Sequence, residues 1–365
     1  MKKNILLSLL LILFINLNSY AQISSLKDSI ISRLETLKEQ THVNALIAGI
    51  WEGDRNILSV AYGESMTSIP ADTSMHVRIG GIMETFFGTL VLILVDQGKF
   101  SLDDKVSKWL PDLLAADQVT VGMLIKNTSG YKDYVLNQDF VNLITNEPFK
   151  NITRKEIIEY ATGDGQLNFP PGTEQRYSHT SFTILGEIME RATGKTLGEL
   201  FEDNIIRPLG LSHTRYNFNA DLPYPVLHAF SSDRGIYEDV TFWSPSWTRE
   251  SGPMYSNLND IAKWGPAFGK GKLLTPESFN VLISRPPGAK DPNRFMASGF
   301  GVFNGWYVQN PEFNGYSGAF GYYPPKDLTV IIFTTESEHR SSGAKAIVVL
   351  EEIVKMLTPD AAVKF

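Results

Sequence analysis

The sequence predicts a mixed α/β fold, with a sheet contributed by both ends of the chain, covered by terminal helices, and a mainly helical lobe inserted between them. Three observations predict it. Strand-like segments gather near the N-terminus and again in the last third, helical periodicity dominates the middle, and a segment apolar almost all round follows the first strands.

Each element has its own signal. Ser25 to Thr41 places Leu26, Ile30, Leu34 and Leu37 at helical spacing. ALIAGIWEGDRNILSVAYG reads as two apolar strands around the turn Gly53-Asp54-Arg55-Asn56. Met83 to Leu94 is apolar on nearly every side, which suits a helix buried in the middle of the protein. A more polar helix-and-loop stretch runs from Ser101 to about Arg285 and includes the helix HTSFTILGEIMERATG, closed by Gly194. SGFGVFNGWYV, GAFGYYP and DLTVIIFTT return to strands, and an amphipathic helix spans about Ser342 to Leu357. The sheet lobe therefore covers about 22–80 and 290–365 and the helical lobe about 81–289, with a cleft expected at their junction.

Composition narrows the function. The 365 residues are 43% hydrophobic and 20% charged, as in an ordinary globular protein. The 33 basic and 40 acidic residues are spread without long runs, so nothing marks a surface for nucleic acid. Lys2 and Lys3 precede an apolar run from Ile5 to Leu17, and Ser19-Tyr20-Ala21 offers small residues for cleavage. This is the pattern of a secretory signal peptide over residues 1–21, cut after Ala21, and the run is too short to span a bilayer. A secreted or periplasmic protein without stable membrane insertion is expected. The absence of cysteine excludes disulfides and thiol catalysis.

Eight segments then occur in one order over roughly residues 40 to 340: RIGGIMETF, GKFSLDDKVSKWLPD, VTVGMLIKNTSGYKDY, FPPGTEQRYSHTSFTILGEIMERATGKTL, IIRPLGLSHT, SGPMYSNLNDIAKW, KLLTPES and NGYSGAFGYYPPKDLTVIIFTT. Together they resemble the serine β-lactamase and D-alanyl-D-alanine carboxypeptidase superfamily, in its class C-like serine hydrolase branch. The resemblance implies an antiparallel sheet flanked by terminal helices and acyl transfer through three elements. These are a Ser-x-x-Lys at the start of the buried helix, a Tyr-x-Asn on the helical lobe, and a Lys-Thr-Gly or His-x-Gly strand.

Each element is altered here. Gly81 stands where the serine belongs and Glu84 where the lysine belongs. Tyr177-Ser178-His179 keeps the tyrosine but not the asparagine, and Tyr316-Ser317-Gly318 keeps only the glycine. Ser129, in NTSG, belongs to a structural turn in the family and is not a replacement nucleophile. The resemblance thus implies an imidazole, a carboxylate, two phenols and no nucleophile around the cleft. His179 is expected as the base, its basicity raised by contact with Glu84, and Tyr177 and Tyr316 as proton donors.

That set suits proton transfer without a cofactor. The expected reaction is β-elimination on a carboxylated small molecule or oligosaccharide such as a uronic-acid sugar, with Arg176, Arg249 and Lys132 meeting the carboxylate beside Ser317 and Gly318. The alternatives are a non-catalytic binding protein that kept the cleft, and a hydrolase in which Glu84 or His179 activates water. Trp243, Trp247, Trp306 and Tyr307 offer either sugar platforms or core packing. His42, His76, His213, His228 and His339 lack ligand spacing, so no metal is expected.

Overall fold

The computed structural model describes residues 25–338 and 344–365; the expected leader, its cleavage site and His339 lie outside them. A nine-stranded sheet forms the body of the described residues. Its strands are β1 (Ala45–Glu52), β2 (Arg55–Met66), β3 (Ile69–Pro70), β4 (Arg294–Met296), β5 (Gly301–Phe303), β6 (Trp306–Gln309), β7 (Glu312–Phe313), β8 (Tyr316–Tyr323) and β9 (Leu328–Thr335). Their spatial order is β3-β2-β1-β9-β8-β6-β5-β4, with β7 added to the end of β8. Every pairing is antiparallel, and the N-terminal β1 lies against the C-terminal β9 from Ala45↔Thr335 to Glu52↔Leu328. Both ends of the chain build one sheet, as the sequence predicts.

The continuous apolar runs of β1 and β9 follow from burial on two faces. Leu46, Ala48, Val330 and Ile332 point to a layer formed by helix α1 (residues 25–40) and the C-terminal helix, through Ile30, Leu34, Val349 and Ile353. Ala45, Ile47, Ile331 and Phe333 point the other way, into the main core. That core is organised by α2 (Met83–Asp96), which is buried from Met83 through Leu94 and so has no polar stripe. α3 (His179–Thr193) and α4 (Leu258–Gly269) pack around it, and Trp264 of α4 stacks on Phe86 with ring centroids 3.9 Å apart. The last helix, α5 (Lys345–Leu357), begins three residues later than the expected Ser342; residues 342–343 lie outside the described set.

No helix among the described residues is long and apolar enough to cross a membrane. The starts of α2 and α3, the end of β6 and the short strand β7 converge at one cleft.

Candidate active site

The cleft encloses about 520 Å³ and is lined by Gly80, Gly81, Glu84, Tyr177, His179 and Gln309, with Trp247, Thr248, Ser251 and Gly252 on one rim and Asn310 to Phe313 on the other. A short 3₁₀ turn, Gly80–Ile82, leads into α2 and delivers Glu84 in the helix's first turn. The chain crosses there from the sheet to the buried helix, and Gly80 takes φ +49°, a conformation open to glycine.

Glu84 is 1% exposed, yet both its oxygens are bonded. Tyr177 Oη donates to Oε1 in a short hydrogen bond, and Gln309 Nε2 donates to Oε2 at 3.1 Å while also reaching the Gly299 carbonyl at 2.8 Å. Burial disfavours the carboxylate more than His179 and these donors favour it, so its pKa is pushed up to about 7. The same burial, with Glu84 beside it, raises Tyr177 well above an ordinary phenol and keeps it protonated.

His179 opens α3 one residue after Ser178, whose backbone N–H is held by Asn127 Oδ1 and whose hydroxyl donates to the Lys132 carbonyl. Its Nδ1 lies 2.9 and 3.1 Å from the two oxygens of Asp133, which fixes the ring and leaves Nε2 toward the cleft. Burial works against the imidazolium, but Asp133, aided by Glu84, more than offsets it and raises the histidine pKa. The Tyr177 and His179 rings meet edge to face with centroids 4.8 Å apart. Two proton-holding pairs, Glu84–Tyr177 and Asp133–His179, thus share one cleft wall.

The cleft unites Glu84, Tyr177 and His179, but three expectations about them and their neighbours fail. His179 is paired with Asp133, not with Glu84. Tyr316 does not offer its phenol to the cleft: the side chain is 5% exposed, and Oη donates to the Leu227 carbonyl at 2.6 Å. The expected cations do not line the cleft either. Arg176 and Lys132 face a separate recess of about 560 Å³ behind Asp133, where Lys132 is ion-paired with Asp164. The Arg249 backbone has φ +31°, and its guanidinium lies over the Phe218 ring at 4.5 Å. Lys132 and Arg176 neighbour site residues in sequence, but in non-helical chain adjacent side chains point to different sides.

Ser317 and Gly318 are also engaged elsewhere. Ser317 Oγ accepts from Ala346 N at 3.2 Å, and Gly318 N donates to the Pro311 carbonyl at 2.8 Å. Ser129 is 2% exposed and bonded to Ser181 at the start of α3, consistent with a structural turn. Of the aromatic cluster, Trp247 lines the cleft, stacked on Phe313 at 5.5 Å, while Trp306 is fully buried and Trp243 is 8% exposed. Among the described residues no three metal-ligating side chains come together.

Asp133 and Gln309 were not anticipated from the sequence. Asp133 carries a weak signal, four residues after Ser129 in the quoted segment that ends KDY. Gln309 carries none, since only the sheet brings it to Glu84.

The chain is similar to penicillin-binding protein 4 of Amycolatopsis lactamdurans, 27% identical over 312 residues, 79% of this chain and 78% of that protein. Penicillin-binding protein 4* of Bacillus subtilis is 28% identical over 188 residues, half of this chain but 40% of that protein's length. Among solved structures, the D-amino acid amidase of Ochrobactrum anthropi, complexed with D-phenylalanine, superposes with a TM-score of 0.78 at 20% identity, over 92% of this chain and 99% of that one. The family model described as Beta-lactamase matches residues 30–353, and the chain belongs to that family.

Proposed function

We propose that this protein is an exported, cofactor-independent hydrolase of a compact amide or ester, working by proton transfer through Glu84, Tyr177 and His179 without an acyl-serine at position 81. The observation that carries this reading is the placement of two bonded pairs, Glu84–Tyr177 and Asp133–His179, side by side on one cleft wall, with burial raising the carboxyl and the Asp133 counter-charge raising the imidazole. Their proton affinities reverse the roles expected from sequence. Glu84, through Tyr177, is the base, and the imidazolium held by Asp133 is the acid.

In the reaction, water attacks the substrate carbonyl carbon. Its proton moves to the Tyr177 oxygen as the phenol passes its own proton to Glu84 Oε1. His179 Nε2 then protonates the departing nitrogen or oxygen as its bond to the carbonyl carbon breaks. The products are an acid and an amine or alcohol, and solvent returns the proton from Glu84 to His179. The names of the relatives, penicillin-binding proteins and an amidase, support an amide or ester over other substrates. Elimination on a uronic acid needs cations at the substrate carboxylate. Among the described residues that line the cleft there is no lysine or arginine.

The test is a panel of small amides and esters assayed for product, with intact-protein mass spectrometry during turnover. Hydrolysis without a covalent adduct, abolished in His179→Ala, supports the reading. A stable acyl adduct, or turnover indifferent to His179, overturns it.

A further inference from the structure

The rim from Gln309 to Phe313 does more than border the cleft. β7 pairs with the first residues of β8, Glu312↔Ser317 and Phe313↔Tyr316, and Pro311 accepts from Gly318 N at 2.8 Å. The β8 edge beside the cleft is therefore already occupied by the chain itself. This strap is seated closely: a Cβ at Gly80 would lie 2.5 Å from Pro311 Cβ, and one at Gly318 would lie 2.9 Å from Pro311 Cγ. Sheet edges are where extended peptides add as an extra strand, through backbone hydrogen bonds. Here that mode of binding is closed.

The strap also brings charge. Glu312 is exposed, lines the cleft, and has no side-chain hydrogen bond or ion pair among the described residues. Among the described residues, the other ionisable side chains lining the cleft are Glu84, Tyr177 and His179.

We propose that the Gln309–Phe313 strap sets specificity: it bars substrates that bind as an added strand, and Glu312 selects a compact ligand carrying an ammonium group. This deepens the reading of the cleft as a hydrolytic site and rests on it.

Calorimetry with the whole chain tests it, using leucinamide, N-acetyl-leucinamide, leucine and trialanine. The expected order is leucinamide about fivefold tighter than its N-acetyl form, the scale of one exposed ion pair. Trialanine is expected not to compete. Glu312→Gln should abolish that preference, and Glu312→Lys should favour leucine over leucinamide, with melting temperatures confirming that both variants fold. Equal binding of the two amides, a preference that survives Glu312→Gln, or competition by trialanine overturns the proposal. Turnover separates it from the parent reading. Glu312-dependent binding without hydrolysis sinks the reaction and leaves the specificity, whereas hydrolysis of an extended peptide does the reverse.

Discussion

Glu84–Tyr177 and Asp133–His179 stand on the same wall of the cleft but hold their protons for opposite reasons. Glu84 is tuned by burial: it is 1% exposed, its bonded partners are neutral donors, and the carboxyl is driven up to about 7. His179 is tuned by a counter-charge, with Asp133 overcoming the burial that would otherwise keep the ring neutral. The first pair can shed a proton near neutrality and the second can keep one. On the proposed reading, one fold thus provides a base and an acid in adjacent side chains by changing what surrounds each of them.

Breaking the acid should have the largest effect. His179→Ala is expected to lower turnover about 10²–10⁴-fold, the usual worth of a general acid. Asp133→Asn should retain the ring but lower its pKa, drawing the alkaline limb of the pH–rate profile toward neutrality; an unmoved limb would detach Asp133 from the histidine's role.

Breaking the buried base should appear in stability. The folded pKa of Glu84, about 7, exceeds the ordinary 4.5, so the folded carboxyl keeps its proton where the unfolded one has lost it. Its contribution is therefore fully present below about pH 4.5 and lost as pH rises through about 7. Glu84→Gln should remove that slope, a difference of about 3 kcal/mol between pH 4.5 and 8 in denaturant titrations. Gln309→Ala, which leaves Glu84 Oε2 buried without its donor, should cost about 1–3 kcal/mol and raise the glutamate pKa further, read from the acid limb of the rate profile. The smallest change belongs outside the comparison. Arg176→Ala should alter stability by less than about 0.5 kcal/mol and leave both limbs in place, since its side chain faces another recess.

Much of this was legible in the chain. α2 is apolar on every side because every side is packed, and β1 and β9 lack alternation because both faces are covered. The family segments brought Glu84, Tyr177 and His179 to one place because each opens or precedes a helix whose position the fold sets. What escaped was partnership across the chain. Gln309 reaches Glu84 from the end of β6, and Asp133 reaches His179 from a loop, distances along the sequence that no periodicity encodes. Tyr316 was misplaced because the strap that covers the start of β8 lies a few residues upstream with no motif of its own.

The strap also bears on protein engineering. A Cβ at position 81 would sit 3.1 Å from Gln309 Oε1 and 3.8 Å from Pro311 Cβ. A hydroxyl-bearing side chain introduced there meets an amide that is itself anchored to Glu84 and the Gly299 carbonyl. Positions 81, 84 and 309 are therefore mutationally interlocked. A side chain added at 81 presses on Gln309 first and, through its amide, on the Glu84 carboxyl.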